Sequence, residues 1–123
     1  MTDATTILIV DDEPVVRALL RAALEPAGSR LLEAADGGEA LEIAWRECPD
    51  IVVLDIGLPM LSGVDVCRAL KTHLAPPRVL LVTGNSEIEG IDACGADGIA
   101  AKPFNTKSLL EDVRRLLALP AAA

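Results

Sequence analysis

Four short runs of aliphatic residues, each followed by a polar or charged side chain, dominate the hydrophobic pattern of this chain. Such runs, bounded by polar residues and by Gly or Pro, are typical of buried strands in a parallel sheet. Because the carboxyl ends of parallel strands meet at one edge of an open α/β sheet, we expect the four polar side chains to gather there. The runs and the residues after them are Ile7–Val10 with Asp11, Ile51–Leu54 with Asp55, Val79–Val82 with Thr83, and Gly98–Ala101 with Lys102.

Helical patterns separate the strands in the first half of the chain. Pro14 suits the first turn of a helix with Asp12 or Glu13 at its cap, and helically spaced apolar residues follow it. A short strand is predicted over Arg30–Glu33. Residues 36–39 then have the spacing of a capping box, which predicts the start of a second helix.

The second half of the chain continues this alternation. Ser62 is placed to cap a third helix, and a short helix is predicted over Ser86–Cys94. The last helix has the clearest pattern, because apolar residues recur at i, i+1, i+4, i+7 and i+8 from Leu109.

Together these elements make five βα units, without a second domain, a linker or an internal repeat. Alternation of this kind predicts an α/β domain whose parallel sheet carries helices on both faces, joined by right-handed crossovers. No GxGxxG follows the first strand and no GxxxxGK[ST] occurs, which disfavours a dinucleotide-binding fold and a P-loop NTPase.

Composition narrows the environment and the partners. The 123 residues include 11 basic and 19 acidic residues, for a net charge of −8, and no basic cluster, so we expect no direct binding of nucleic acid. No apolar run approaches a membrane span and no signal peptide is visible, so we expect no membrane partner. The three widely spaced cysteines predict reduced thiols in the core or at its boundary, as in a cytoplasmic protein.

The polar residues at the strand ends resemble those of the receiver domain of two-component response regulators. The resemblance covers essentially the whole chain, and its stretches occur in order with near-family spacing. It implies the flavodoxin-like fold, a doubly wound (βα)5 domain with strand order 2-1-3-4-5. It also identifies residues 1–123 as a single receiver domain, with no effector domain in this chain. The stretches that carry it are 9–13, 49–55, Leu58–Pro59 with Gly63, 95–97 and 102–104.

The expected chemistry centres on Asp55 as the nucleophile that takes a phosphoryl group as an acyl phosphate. A carboxylate that attacks a phosphate meets charge repulsion, so a cation is needed, and Mg²⁺ prefers hard oxygen ligands. Asp12 and Asp55 are the expected direct ligands, with Asp11 acting directly or through water. The resemblance implies the backbone carbonyl of Gly57 as a further ligand. Without metal, at least one clustered carboxyl should have a raised pKa.

Two further side chains are expected to hold the phosphoryl group. Lys102 would place its ammonium on one phosphate oxygen as a point charge, and Thr83 would donate a hydrogen bond to another. The resemblance also implies a cis peptide between Lys102 and Pro103. In the family's usual switch the hydroxyl moves toward the phosphate while an aromatic residue rotates inward. Ile99 stands at that aromatic position here, so either a smaller shift suffices or the output mechanism differs.

Each of these residues has a plainer interpretation when it is taken alone. An aspartate or threonine at a strand end usually caps a helix, and a single lysine is usually solvated. Their joint occurrence at four strand ends is not explained by capping. The stretch between Thr83 and Gly95 is also about one helical turn shorter than in the family, which predicts a remodelled or mobile output face.

The predicted function is therefore a signalling switch rather than an ordinary enzyme. Its phosphoryl donor would be a sensor histidine kinase or a histidine phosphotransfer protein, and its output would be an unknown protein partner. Two alternatives stay open: a pseudo-receiver that is never phosphorylated and acts as an interaction module, and, more remotely, a Mg²⁺-dependent aspartyl phosphatase. The chain is expected to be either a stand-alone receiver or a piece of a larger regulator.

Overall fold

The predicted aliphatic runs form the strands of one parallel sheet. The computed structural model describes residues 5–84, 94–102 and 104–119. The strands are β1 (Thr6–Val10), β2 (Arg30–Ala34), β3 (Ile51–Asp55), β4 (Arg78–Thr83) and β5 (Gly98–Ala101). They follow the order β2-β1-β3-β4-β5, all neighbours are parallel, and this confirms the predicted topology. The helices are α1 (Pro14–Leu24), α2 (Gly37–Glu47), α3 (Gly63–Lys71) and α4 (Thr106–Leu117), with a 3₁₀ turn at Glu25–Ala27.

Two apolar clusters lie on opposite faces of the sheet. Successive strand residues point to opposite faces, so Leu8 and Val10 pack toward α2 and α3, whereas Ile7 and Ile9 pack toward α1 and α4. The inner strands are thus buried on both sides. This double burial explains why β1, β3 and β4 are continuous aliphatic runs rather than alternating patterns.

Side-chain caps fix the starts of α2 and α3 where the sequence predicted them, whereas Glu13 stands at the N-cap of α1 without a side-chain cap hydrogen bond. The Asp36 carboxylate accepts a hydrogen bond from the Glu39 N–H at 2.8 Å, and the Glu39 carboxylate accepts one from the Ala35 N–H at 2.7 Å. This reciprocal pair confirms the predicted capping box. The Ser62 hydroxyl accepts from the Asp65 N–H at 3.2 Å at the start of α3.

The cysteines only partly match their predicted places. Cys67 and Cys94 are buried. Burial raises the pKa of the Cys67 thiol well above its usual range, and the hydrogen bond to Cys94 and the electrostatic interaction with Cys94 add to this effect. The prediction that Cys48 belongs to the core or its boundary is wrong, because Cys48 is exposed. It follows α2 in the left-handed conformation, with φ of 48°, and its N–H closes the helix on the carbonyl of Ala44 at 3.0 Å.

Some predictions fall outside the described residues. The predicted short helix over Ser86–Cys94 lies outside them, except for its last residue, Cys94. The shortened stretch after Thr83 also lies outside them, except for Gly84 and Cys94. Pro103 also lies outside, and with it the predicted cis peptide after Lys102.

The helices of the described ranges are short. The longest is α4, with 12 residues, whereas a helix that crosses a bilayer needs about 20 apolar residues. Across residues 5–84, 94–102 and 104–119, no helix is long and apolar enough to cross a membrane.

Gly63 holds the start of α3 against the end of β3. A Cβ atom at Gly63 would lie 2.5 Å from the carbonyl oxygen of Asp55 and 2.6 Å from the Cα of Ile56. The Gly63 N–H also donates to the Ile56 carbonyl at 2.9 Å. Backbone atoms cannot turn aside as a flexible side chain can, so a larger residue here would displace the chain around Asp55.

We expect Gly63→Ala to lower the free energy of unfolding by about 1–3 kcal/mol, the usual cost of forcing atoms into a packed site. Gly38→Ala in α2 is the matched control, since its Cβ would meet only an oxygen of Asp36 at 3.5 Å. Urea unfolding at neutral pH measures both variants. Equal stability of Gly63→Ala and Gly38→Ala would contradict the packing argument.

Candidate functional site

Three carboxylates meet at the carboxyl edge of the sheet. Asp11 and Asp12 follow β1, and Asp55 ends β3, the parallel neighbour of β1. One oxygen atom from each of the three lies within 4.8 Å of the others. Clustered carboxylate oxygens are the hard ligands that Mg²⁺ and similar cations prefer.

The next two strands bring a hydroxyl and an ammonium to the same edge. Thr83 ends β4 and is buried, and Lys102 follows β5. The Lys102 N–H donates to the Thr83 carbonyl at 2.8 Å, which holds the two strand ends together. Both residues line an open cleft of about 390 Å³, whose other walls are Asp12, Glu13, Asp55, Ile56, Gly57 and Gly84.

Lys102 places its positive charge on the carboxylate that the sequence marked as the nucleophile. Its Nζ lies 3.0 Å from Asp55 Oδ1 and 3.6 Å from Asp11 Oδ2. Partial burial tends to lower the pKa of Lys102, but the hydrogen bond to Asp55 and the charges of Asp55 and Asp11 outweigh it, so the pKa is raised. The ammonium therefore stays protonated throughout the physiological range.

Asp11 lies beneath the cleft and is fully buried. Its Oδ1 accepts a hydrogen bond from the Glu13 N–H at 2.9 Å. Its Oδ2 is buried and has no hydrogen-bond partner among the described residues. Burial raises the pKa of Asp11, the charges of Asp55 and Asp12 add to that effect, and the Glu13 N–H and Lys102 only partly oppose it. A carboxyl with a raised pKa was expected in this cluster, and Asp11 is such a group.

These features fit a divalent cation. The carboxylates carry more negative charge than one ammonium offsets, and a buried carboxylate oxygen without a hydrogen bond is a group that a cation would satisfy. Gly57 lies in the cleft wall, and a Cβ there would meet only an oxygen of Asp55, at 3.7 Å, so the surrounding space is open. Asp12 and Asp55 line the cleft, whereas Asp11 is buried and is not among the lining residues.

Ile99, at the position where the family's usual switch places an aromatic residue, lies on β5. Its side chain is 46% exposed, and its backbone is in register with Leu81 of β4. The role of Thr83 and Ile99 in switching stays a prediction.

Two contacts that hold the site were missed in the sequence. Glu13, at the N-cap of α1, uses its main-chain N–H to orient the Asp11 carboxylate. Arg17, one turn further along α1, donates from Nη1 to the main-chain carbonyl of Asp11 at 2.7 Å. The only signal in the sequence was a basic residue one helical turn after the acidic pair, and that signal is weak.

A family comparison agrees with this arrangement. The model of the response regulator receiver domain matches residues 7–114 of the chain. The chain belongs to this family. The predicted resemblance to receiver domains is thereby confirmed. Response regulators are signalling proteins of two-component systems rather than ordinary enzymes.

Two relatives are transcriptional regulatory proteins. KdpE of Mycobacterium tuberculosis is 35% identical over 122 residues, which cover 97% of this chain and 54% of that protein. The alkaline phosphatase synthesis transcriptional regulatory protein PhoP of Bacillus subtilis is 37% identical over 115 residues, which cover 90% of this chain and 48% of PhoP. The chain therefore spans about half the length of these relatives.

A solved structure gives the same fold. The CheY-like response regulator receiver domain protein of Methanospirillum hungatei superposes with a TM-score of 0.85 at 30% identity, covering 94% of each chain. The receiver family and its flavodoxin-like topology thus agree between sequence, fold and comparison.

We expect Asp11→Asn to raise the free energy of unfolding by about 1 kcal/mol at pH 7 without metal, because the buried charge is removed while Oδ1 can still accept from Glu13. The pKa of Asp11 is higher in the folded protein than in the unfolded chain. The wild-type protein therefore loses stability as pH rises through the folded-state pKa, and regains it as pH falls toward the ordinary pKa of an aspartate. The advantage of the variant should therefore shrink as pH falls.

Urea unfolding in EDTA at pH 7 and at lower pH measures this difference. Glu111→Gln, at an exposed position of α4, is the control for the loss of one carboxylate. An Asp11→Asn protein no more stable than wild type at pH 7 would contradict the assigned cost of the buried charge.

Proposed function

We propose that residues 1–123 act as one receiver domain in which Asp55 accepts a phosphoryl group from a histidine kinase or a histidine phosphotransfer protein. The observation that carries this proposal is the Asp55 carboxylate, held by Lys102 at 3.0 Å in a cleft that Asp12 and Thr83 also line. Phosphorylation would then change which partner the domain binds, by a shift between two conformational states.

In the proposed reaction a carboxylate oxygen of Asp55 attacks the phosphorus atom of a phosphohistidine. The new bond is the Asp55 O–P bond of an acyl phosphate, and the P–N bond of the donor breaks, leaving a neutral imidazole after protonation. Lys102 would pass from the Asp55 oxygen to a phosphate oxygen, and the Thr83 hydroxyl would donate to another. Positioning and charge compensation of this kind are most of what a protein contributes to phosphoryl transfer.

The same proposal assigns a Mg²⁺ site to the acidic cluster. Asp12 and Asp55 would be direct ligands, Asp11 would act directly or through water, and the Gly57 carbonyl would complete the protein's share. A bound Mg²⁺ would offset the negative charge that Asp55 and the phosphoryl group bring together. The oxygen distances within the cluster and the orphaned Asp11 Oδ2 support this assignment.

Incubation with Mg²⁺ and acetyl phosphate should add one phosphoryl group to the wild-type protein and none to Asp55→Asn, because the amide is not a nucleophile. Intact-mass spectrometry reads the adduct directly, and a receiver of known activity serves as the labelling control. An unlabelled wild-type protein beside a labelled control would favour the pseudo-receiver alternative.

A groove beside the cleft is the proposed docking surface for the phosphoryl donor. On α1, Val15 is 71% exposed and Leu19 is 53% exposed, although helical periodicity alone does not mark them as surface residues. Leu19 lines an open groove of about 530 Å³ that shares Glu13 and Lys102 with the phosphorylation cleft, and its other walls are Val16, Phe104 and Thr106. Exposed apolar side chains next to the nucleophile suit a protein that must bring a histidine to Asp55.

Leu19→Glu should slow phosphoryl transfer from a histidine kinase by about tenfold or more, since it removes apolar contact and adds a charge to the groove. Labelling by acetyl phosphate, which needs no docking surface, should stay unchanged. Leu74→Glu is the matched control, because Leu74 is fully exposed after α3, at the opposite end of the sheet. Equal slowing by both variants would contradict docking at α1.

The relatives suggest a downstream role for this receiver. KdpE and PhoP are named as transcriptional regulatory proteins, so we propose that the phosphorylation state of this receiver controls transcription through protein contacts. Its net charge of −8 supports contacts with protein rather than with nucleic acid. The free thiols agree with a reducing, cytoplasmic location.

A further inference from the structure

Arg17 links α1 to the loop that carries two of the proposed metal ligands. From one turn into α1, its Nη1 donates to the main-chain carbonyl of Asp11 at 2.7 Å. The Arg17 side chain is 18% exposed, so this contact is partly shielded from water. A charged donor on a main-chain carbonyl makes a stronger hydrogen bond than a neutral one.

Glu33 on the edge strand β2 holds the same guanidinium from the other side. Its carboxylate lies 3.3 Å from Arg17 Nε, and its second oxygen lies 2.8 Å from Nη1 of Arg21. Arg17 therefore bridges two acceptors with the fixed fork of its guanidinium, which an ammonium cannot do in the same way. Arg21 shares the Glu33 partner but, among the bonds of the described residues, has none to Asp11.

The carbonyl that Arg17 contacts belongs to Asp11, whose buried carboxylate must be held in place close to other carboxylates. Asp11 is fully buried, its Oδ2 has no hydrogen-bond partner among the described residues, and Asp12 follows it directly in the chain. The other contacts on Asp11 are its N–H to the Ala34 carbonyl at 3.2 Å, the Glu13 N–H to its Oδ1 at 2.9 Å, and the Lys102 ammonium 3.6 Å from its Oδ2. Without Arg17, mutual repulsion of the carboxylates would act on a loop with fewer restraints.

We infer that Arg17 is a positioning residue that holds the Asp11–Asp12 turn in place for a divalent cation, with Glu33 keeping the guanidinium oriented. The inference rests on the cation site of the proposed function. It gives this site a support that runs from the edge strand through α1 to the end of β1. Arg17 itself would touch neither the cation nor the phosphoryl group.

The direction in which Mg²⁺ affinity changes when Arg17 is replaced distinguishes a positioning role from a simple effect of charge. Removing one positive charge takes the net charge from −8 to −9. By charge alone, Arg17→Gln should therefore attract Mg²⁺ more strongly. A positioning role predicts weaker binding instead, because the ligands lose their arrangement. Arg21→Gln makes the same charge change one helical turn away and keeps the bond between Arg17 and Asp11.

The test compares divalent-cation affinities of the folded wild-type, Arg17→Gln, Arg17→Lys and Arg21→Gln proteins. Free Mn²⁺ is read by electron paramagnetic resonance, and Mg²⁺ affinity follows from competition at fixed pH and ionic strength. We expect Arg17→Gln to weaken Mg²⁺ binding by about tenfold, a typical cost of removing a group that orients metal ligands. Arg17→Lys should fall between it and wild type, and Arg21→Gln should bind at least as tightly as wild type.

Phosphorylation adds a second readout. At saturating Mg²⁺, labelling of Arg17→Gln by acetyl phosphate should approach the wild-type rate, since Asp55 and Lys102 are unchanged. If Arg17→Gln binds Mg²⁺ as tightly as the wild type or more tightly, the inference is overturned while the proposed function stands. The same holds if Arg21→Gln weakens Mg²⁺ binding as much as Arg17→Gln does. If Arg17→Gln does not fold, the Mg²⁺ affinity of Arg17→Lys decides: an unchanged affinity overturns the inference, and a weakened affinity supports it. A wild-type protein that binds neither cation overturns the proposed function and the inference with it.

Discussion

The mutual repulsion of carboxylates at one edge of the sheet is the constraint on which the rest of this structure depends. Asp11, Asp12 and Asp55 bring oxygens within 4.8 Å of one another, and Lys102 supplies the ammonium that contacts two of them. An arrangement of this kind is costly in a folded protein, because it concentrates like charge and buries part of it. It persists because the surrounding fold leaves the side chains little freedom to move apart.

The sheet supplies most of that restraint. Val10 of β1 is in register with Leu54 of β3, so Asp11 and Asp55 leave the sheet at the same level. Both strands are buried on both faces, so a slip of either one would disturb the packing on both faces and shift Asp11 relative to Asp55. Gly63 then presses the start of α3 against the backbone of Asp55. Apolar packing elsewhere in the domain thus offsets the free-energy cost of holding the charged groups close together.

The strands and the cleft were predictable because both follow from local pattern. Strands buried on two faces must be continuously aliphatic, and Asp55 and Thr83 come at points where such runs stop, whereas Lys102 follows β5, an edge strand that is only partly buried. Cys48 was misplaced because an apolar stripe continues past the last turn of α2, whereas the chain there turns into a left-handed conformation. Arg17 was missed because its acceptor is a main-chain carbonyl, which every residue has, so the pairing of α1 with Asp11 needs the fold.

The exposure of Cys48 has a practical consequence. All three cysteines of the chain are described, and the other two, Cys67 and Cys94, are buried. Cys48 stands just before β3, at the opposite end of the sheet from the phosphorylation cleft. A thiol-reactive dye would therefore attach at one position without reagent or linker entering the cleft, giving this protein a built-in attachment point for fluorescence or surface immobilisation.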